Sequence, residues 1–291
     1  MDDLFPPVVH ESTKTGRRFA RLRAVPFRIV LPNLVTLLAL VSGLTAIRMA
    51  LEARWEWAVG AVVVAALLDA VDGRVARWVK GTSKFGAELD SLADFVNFGV
   101  VPGLLLYIWM LSEIRSLGWL AVIAFAIAMA LRLARFNVMV DKPKPDWHAN
   151  FFTGMPAPAG AITVLLPLYL NDFITIPHNR AVAVVLSIYV LFIAFMAVST
   201  IPTFSGKKMG TRVPRERIIP LSVLFVLFVA VLATYPFPVL ALLAIVYLAF
   251  IPVGWNWYRQ HEKRDRAAAA QVPTGDAAPE GTAPVSPAES A

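Results

Sequence analysis

The sequence predicts an all-α integral membrane protein of about eight transmembrane helices with a polar cavity facing the cytoplasm. Three observations carry that expectation. Hydrophobic residues are 58% of 291 and charged residues only 16%, a balance outside the ordinary range of soluble domains. Apolar runs of the length needed to cross the hydrocarbon core recur along the chain. Four aspartates, Asp69, Asp72, Asp90 and Asp94, fall inside two neighbouring apolar runs, where a carboxylate is costly and marks function.

Residues 1–26 hold Lys14, Arg17, Arg18, Arg21 and Arg23 with Phe19 and Leu22 between them, which reads as a basic juxtamembrane segment lying on the membrane surface. It lacks the small-residue cleavage pattern of a signal peptide. A transmembrane domain over 27–258 follows, with spans expected near 28–48, 55–79, 86–110, 117–139, 156–171, 181–200, 217–235 and 237–258. The fifth is the shortest, and only Pro236, in a turn with Tyr235 and Phe237, separates the last two. Trp55, Trp57, Trp255, Trp257 and Tyr258 fall at span ends as an interfacial belt. Residues 259–291 are expected to form a disordered cytoplasmic tail, because beyond residue 265 Ala, Pro, Glu and Ser dominate and no core can form.

With these spans, 23 Lys and Arg lie on the side of the N-terminus and 4 on the other, which places both termini and the site between the second and third spans at the cytoplasmic face of the inner membrane. The net charge of +7 flanks apolar segments, so its partner is anionic membrane lipid and not nucleic acid. Zero cysteines exclude disulfides, thiolate metal sites and a cysteine nucleophile.

The second and third spans carry the chemistry. Asp69 and Asp72 share a helical face, continued by Gly73, Ala76 and Arg77; Gly86, Asp90 and Asp94 repeat at four-residue steps, and Asn97 is expected to extend their face. At a rise of roughly 1.5 Å per residue, the first pair lies on the order of 12–16 Å inside its helix end and the second on the order of 6–12 Å. An antiparallel pair would therefore set four carboxylates around one cavity. Like charges at that spacing require a cation, and all-oxygen donors without Cys or nearby His point to Mg²⁺ or Mn²⁺, two of which four carboxylates can hold. Such ions usually serve phosphate chemistry.

The pattern Asp69-x2-Asp72-Gly73-x2-Ala76-Arg77-x8-Gly86-x3-Asp90-x3-Asp94 resembles, without gap or substitution, the signature of the CDP-alcohol phosphatidyltransferases. The resemblance implies a lipid-modifying enzyme that displaces CMP from a CDP-linked lipid by an alcohol, with two divalent metals per site. It also implies a homodimer. By that resemblance Asp69, Asp72 and Asp90, with Asp94 as the fourth ligand position, hold the metals, and Asp94 is the base. Gly73, Ala76 and Arg77 then meet the CDP-lipid together with Asp69, and Gly86 opens space on the facing helix. Asn33, after Pro32 at the cytoplasmic start of the first span, reads either as a helix-start polar residue or as a lining of the nucleotide pocket.

The fourth span ends in Arg132, Arg135, Phe136 and Asn137, followed by a Gly154-x-Pro156-x-Pro158 loop. Positive-inside anchoring accounts for the arginines, but their shared face with Asn137 close by could also hold a carboxylate or phosphate. This segment and loop resemble those of the bacterial phosphatidylserine synthases within the family, which implies CDP-diacylglycerol and L-serine as substrates and Arg132, Arg135 and Asn137 as the acceptor pocket. Lys207, Lys208, Arg212, Arg215 and Arg217 follow as a basic loop suited to anionic headgroups. Glycerol 3-phosphate, inositol phosphate or choline as acceptor, and a divalent-cation transporter, remain the alternatives. A transporter would spread acids through the membrane depth, whereas here they gather in one hairpin.

Overall fold

A computed structural model describes residues 27–78, 83–139, 151–199, 202–204 and 215–270. The basic segment 1–26, Lys207, Lys208, Arg212 and the tail from 271 onward lie outside the described residues.

Helix α1 (Phe27–Leu51) buries Pro32, Thr36, Ala39, Gly43, Ala46 and Ala50 at steps of three and four. Small residues on one stripe let other helices approach closely: α2 (Trp55–Trp78) packs along α1, and Gly43 meets Asn97 and Val101 of the third span. Ser42 donates to the Ala61 carbonyl across the contact with α2 at 2.8 Å. The opposite face of α1, with Leu34, Leu38, Val41 and Leu44, is exposed, as expected of a surface that meets lipid.

The third span is one continuous helical rod of three parts: α3 (Lys84–Asp94), a π-helical turn (Phe95–Val100) and α4 (Val101–Trp109). Ser83 caps it by accepting the Gly86 amide at 3.0 Å. A short 3₁₀ turn leads to α5 (Ser116–Met139), and α8 (Arg180–Val198), capped by Asn179, packs along α5. Phe98, Leu105, Phe125, Met129, Leu165, Tyr169 and Ile193 form the centre of the core.

The expected fifth span is two short helices, α6 (Ala157–Val164) and α7 (Leu166–Leu170), broken at Leu165 ahead of Pro167. Pro167 lacks an amide donor, so the helix cannot run through unchanged. A two-stranded antiparallel pair, β1 (Phe151–Thr153) with β2 (Pro202–Phe204), joins the loops after α5 and α8. Gly154 leaves β1 with φ of +80° and passes so close to α8 that a Cβ would lie 2.7 Å from the Ser199 carbonyl; only glycine tolerates both conditions.

α9 (Arg215–Thr234) and α10 (Pro236–Ala270) meet at Tyr235, as the proline predicts. α10 closes the bundle through Phe237, Leu240, Ala241 and Ala244, whereas α9 is exposed along nearly its whole length. α10 also runs beyond residue 258 to Ala270, so the first part of the expected disordered tail is helical. Charged helix formers from Glu262 to Arg266 and the run Ala267–Ala270 favour that extension.

The all-α membrane architecture stands, with the small β pair as its one addition among the described residues. Six helices there are long and apolar enough to cross a membrane, against an expected count of eight. α2 falls outside that measure because Asp69 and Asp72, with Glu56 at one end or Arg74 at the other, interrupt its apolar run; the α6–α7 pair falls outside because each piece is short.

Candidate functional site

Two helices that do not pack closely on one another bring the aspartates together. α1 lies against both α2 and α3, while the backbones of α2 and α3 stay apart and leave a cleft. Into that cleft Asp69, Asp72 and Asp90 each turn a carboxylate oxygen, and the three oxygens lie within 4.8 Å of one another. Asp72 is 4% exposed. The expectation of four carboxylates about one centre is met by three. Asp94 stands a turn further along α3, a step of about 6 Å, where it faces Asp69 and the Arg132 guanidinium.

None of the four makes an ion pair among the described residues, and the Asp94 Oδ1 atom is buried without a hydrogen-bond partner. Uncompensated carboxylates in an apolar bundle are unstable unless a cation joins them. The donor set is oxygen only, so the residues fit a hard divalent ion.

A cavity of about 200 Å³ opens beside the cluster between Thr36, Asp72, Gly73, Arg77, Ser83 and Asp90. Over Gly73 the nearest heavy atom to an added Cβ would be an Arg77 guanidinium nitrogen at 3.9 Å, which leaves room for a ligand against the helix. Gly86 and Asn33 also line this cavity, as expected of both, and the Asn33 amide packs against Gly86, where an added Cβ would lie 2.7 Å from Asn33 Oδ1. Asn97, within the π turn, meets Gly43 of α1 as Gly86 meets Asn33, so it continues the side of the rod that Gly86 presents to α1. The Ala76 side chain lies outside the described residues.

Two participants escaped the sequence reading. Thr36 donates to Asp72 Oδ2 at 2.8 Å, and Ser83 caps α3 at the cavity wall. Ser83 could have been found as a helix-starting serine. Thr36 could not, because its partner is on another helix.

The three acceptor candidates separate. Arg135 donates to the Val198 carbonyl at 2.6 Å and the Ser199 carbonyl at 3.4 Å, tying α5 to the C-terminal end of α8, whose last carbonyls lack partners within the helix. Asn137 donates to Ser91 Oγ at 3.0 Å and ties α5 to α3. Arg132 stacks on Phe136 with 5.6 Å between the guanidinium carbon and the ring centre, and its charge is felt by Asp94 and Tyr247. Of the three, Arg132 is the one turned toward the carboxylates.

Comparison with known proteins agrees with this geometry. A family model described as CDP-alcohol phosphatidyltransferase matches residues 29–193, and a second, CDP-alcohol phosphatidyltransferase 2, matches residues 216–252. A CDP-diacylglycerol–serine O-phosphatidyltransferase of Mycobacterium bovis is 38% identical over 251 residues, covering 84% of each chain. That of Mycobacterium leprae is 37% identical over 274 residues, 88% of this chain and 89% of the relative. That of Helicobacter pylori is 32% identical over 226 residues, 77% of this chain and 90% of the relative.

The Thr36 hydrogen bond orients Asp72, one of three carboxylates able to hold a metal ion, and removing the partner of a metal ligand typically weakens metal binding by roughly 10–100-fold. Thr36→Val is expected to weaken Mn²⁺ binding to that extent and Thr36→Ser to restore most of it, as read by titrating free Mn²⁺ against the purified protein. Equal affinity in wild type and Thr36→Val would show that Asp72 needs no such orientation.

Proposed function

The chain belongs to the CDP-alcohol phosphatidyltransferase family, and from that premise we propose that it transfers the phosphatidyl group of CDP-diacylglycerol to L-serine, giving phosphatidylserine and CMP. The observation that carries the reading is the convergence of Asp69, Asp72 and Asp90 at the mouth of a cavity floored by Gly73. The serine names of the relatives supply the acceptor.

Asp69, Asp72 and Asp90 would hold divalent cations, Mg²⁺ or Mn²⁺, with Asp94 as a further oxygen at the edge. Once bound, these ions neutralise the pyrophosphate and stabilise departing CMP. Arg77, on the cavity rim, pairs with a phosphate oxygen of the CDP-lipid, and the missing side chain at Gly73 lets the nucleotide lie against α2.

The serine hydroxyl attacks the lipid-side phosphorus, a P–O bond forms, and the P–O bond to CMP breaks. The hydroxyl proton passes to Asp94, whose partnerless Oδ1 is an available acceptor. The serine carboxylate is assigned to Arg132. Both arginines share a face in sequence, but the Arg135 donors are engaged by the end of α8. The distribution of Lys and Arg supports a cytoplasmic site and cytoplasmic termini, and the working unit is taken as a homodimer.

In membranes containing the full chain, CMP release from CDP-diacylglycerol should require an alcohol and stop on chelation. Mg²⁺ or Mn²⁺ should restore it and Zn²⁺ should not. A panel of serine, glycerol 3-phosphate, inositol phosphate and choline should give lipid product with serine alone; product with another acceptor alone would overturn the serine assignment and leave the family intact. Asp94→Asn should lose turnover by about 10²–10⁴-fold while retaining CDP-lipid binding, measured side by side. Arg132→Lys should raise the serine KM sharply, because a point charge cannot reproduce a planar fork, with little change in the CDP-lipid KM. Arg135→Lys should instead lower thermal stability. The reverse pattern would return the carboxylate to Arg135.

A further inference from the structure

α1 and α3 touch at two places that mirror one another. Beside the carboxylates, Asn33 of α1 occupies the space over Gly86 of α3. Deeper in the bundle the roles exchange: Asn97 of the π turn occupies the space over Gly43 of α1, where an added Cβ would collide with its amide oxygen. Asn97 is 2% exposed and that oxygen has no hydrogen-bond partner, an arrangement that costs free energy.

Ten positions separate Asn33 from Gly43, and eleven separate Gly86 from Asn97. Eleven residues are close to three full turns of an α-helix, so Gly86 and Asn97 lie on one side of their rod, the side that meets α1. Asn97 falls within the π turn from Phe95 to Val100. Between the two contacts lie Thr36 on α1, which holds Asp72, and Asp90 and Asp94 on α3. Because α2 and α3 do not pack backbone to backbone, α1 is the common member that can set one against the other.

We propose that the contact of Asn97 with Gly43 fixes the axial register of α3 on α1 and thereby the placement of Asp90 against Asp69 and Asp72. Asn97 is a positioning residue that touches neither substrate nor ion. This rests on the metal-dependent reading above, and it concerns residues outside the aspartate signature.

The test is a cycle of Gly43→Ala, Asn97→Ala and the double variant in the full chain, purified in detergent. Mn²⁺ binding is read by electron paramagnetic resonance without substrate, and turnover is read with serine and CDP-lipid varied in turn. Gly43→Ala forces the Asn97 amide aside and should weaken Mn²⁺ binding by roughly tenfold or more, as loss of support for a ligand does. Turnover should fall in parallel while the serine KM holds, since neither substitution is on α5, which carries Arg132. Asn97→Ala should restore the space, so the double variant should recover most of both losses. Asn97→Ala alone loosens the register and should weaken Mn²⁺ binding by a smaller factor.

Wild-type Mn²⁺ binding in Gly43→Ala, or a folded double variant no better than Gly43→Ala, would overturn the proposal. If Gly43→Ala does not accumulate, Asn97→Ala decides: Mn²⁺ affinity and turnover equal to wild type overturn the register role, and a loss in both with an unchanged serine KM supports it. Wild-type protein that binds no Mn²⁺ would instead overturn the metal reading, and the turnover cycle would then judge the register by itself.

Discussion

Three carboxylates converging inside an apolar bundle are the constraint on which the rest of the structure depends. Asp69, Asp72 and Asp90 repel one another at oxygen separations within 4.8 Å, and in low dielectric that repulsion is weakly screened. No described Lys or Arg forms an ion pair with them, so the fold must hold them together without neutralising them. The neutral Thr36 hydroxyl satisfies one Asp72 oxygen and leaves the charge available for a cation. An enzyme that must bind hard ions gains from this arrangement, since a resident guanidinium would compete with them.

The mechanical answer is α1. It packs along α2, while its Asn33 and Gly43 engage the third span. A cleft is left where α2 and α3 would otherwise meet, and the carboxylates, the Gly73 floor and the cavity occupy it. The cavity and the carboxylate cluster thus have one origin, the separation of two helices by a third.

The far side of the site is held by a different lock. Arg135 is fastened to the last carbonyls of α8, Asn137 to Ser91, and Gly154 threads beneath the same helix end. These ties fix the end of α5 against α3 and leave Arg132, stacked on Phe136, oriented toward Asp94. Two arginines three residues apart are therefore placed differently: one closes a helix terminus and one lies within electrostatic reach of Asp94.

The sequence by itself determined the membrane class, the hairpin that carries the chemistry, the identity of the four aspartates and the family. Those features follow from composition and from spacing along single helices, where a period near 3.6 residues decides which side chains share a face. Tertiary structure decided which three aspartates converge, because that depends on how far two helices are held apart. It also decided that Gly86 receives Asn33, that Thr36 serves Asp72, and that Arg135 is engaged while Arg132 faces the site. Each is a contact between residues remote in sequence, and no periodicity encodes its partner. Asn97 marks the boundary between the two kinds of knowledge. Helical periodicity puts it on the side that Gly86 presents, but that Gly43 of α1 is the residue it meets there is a property of two helices.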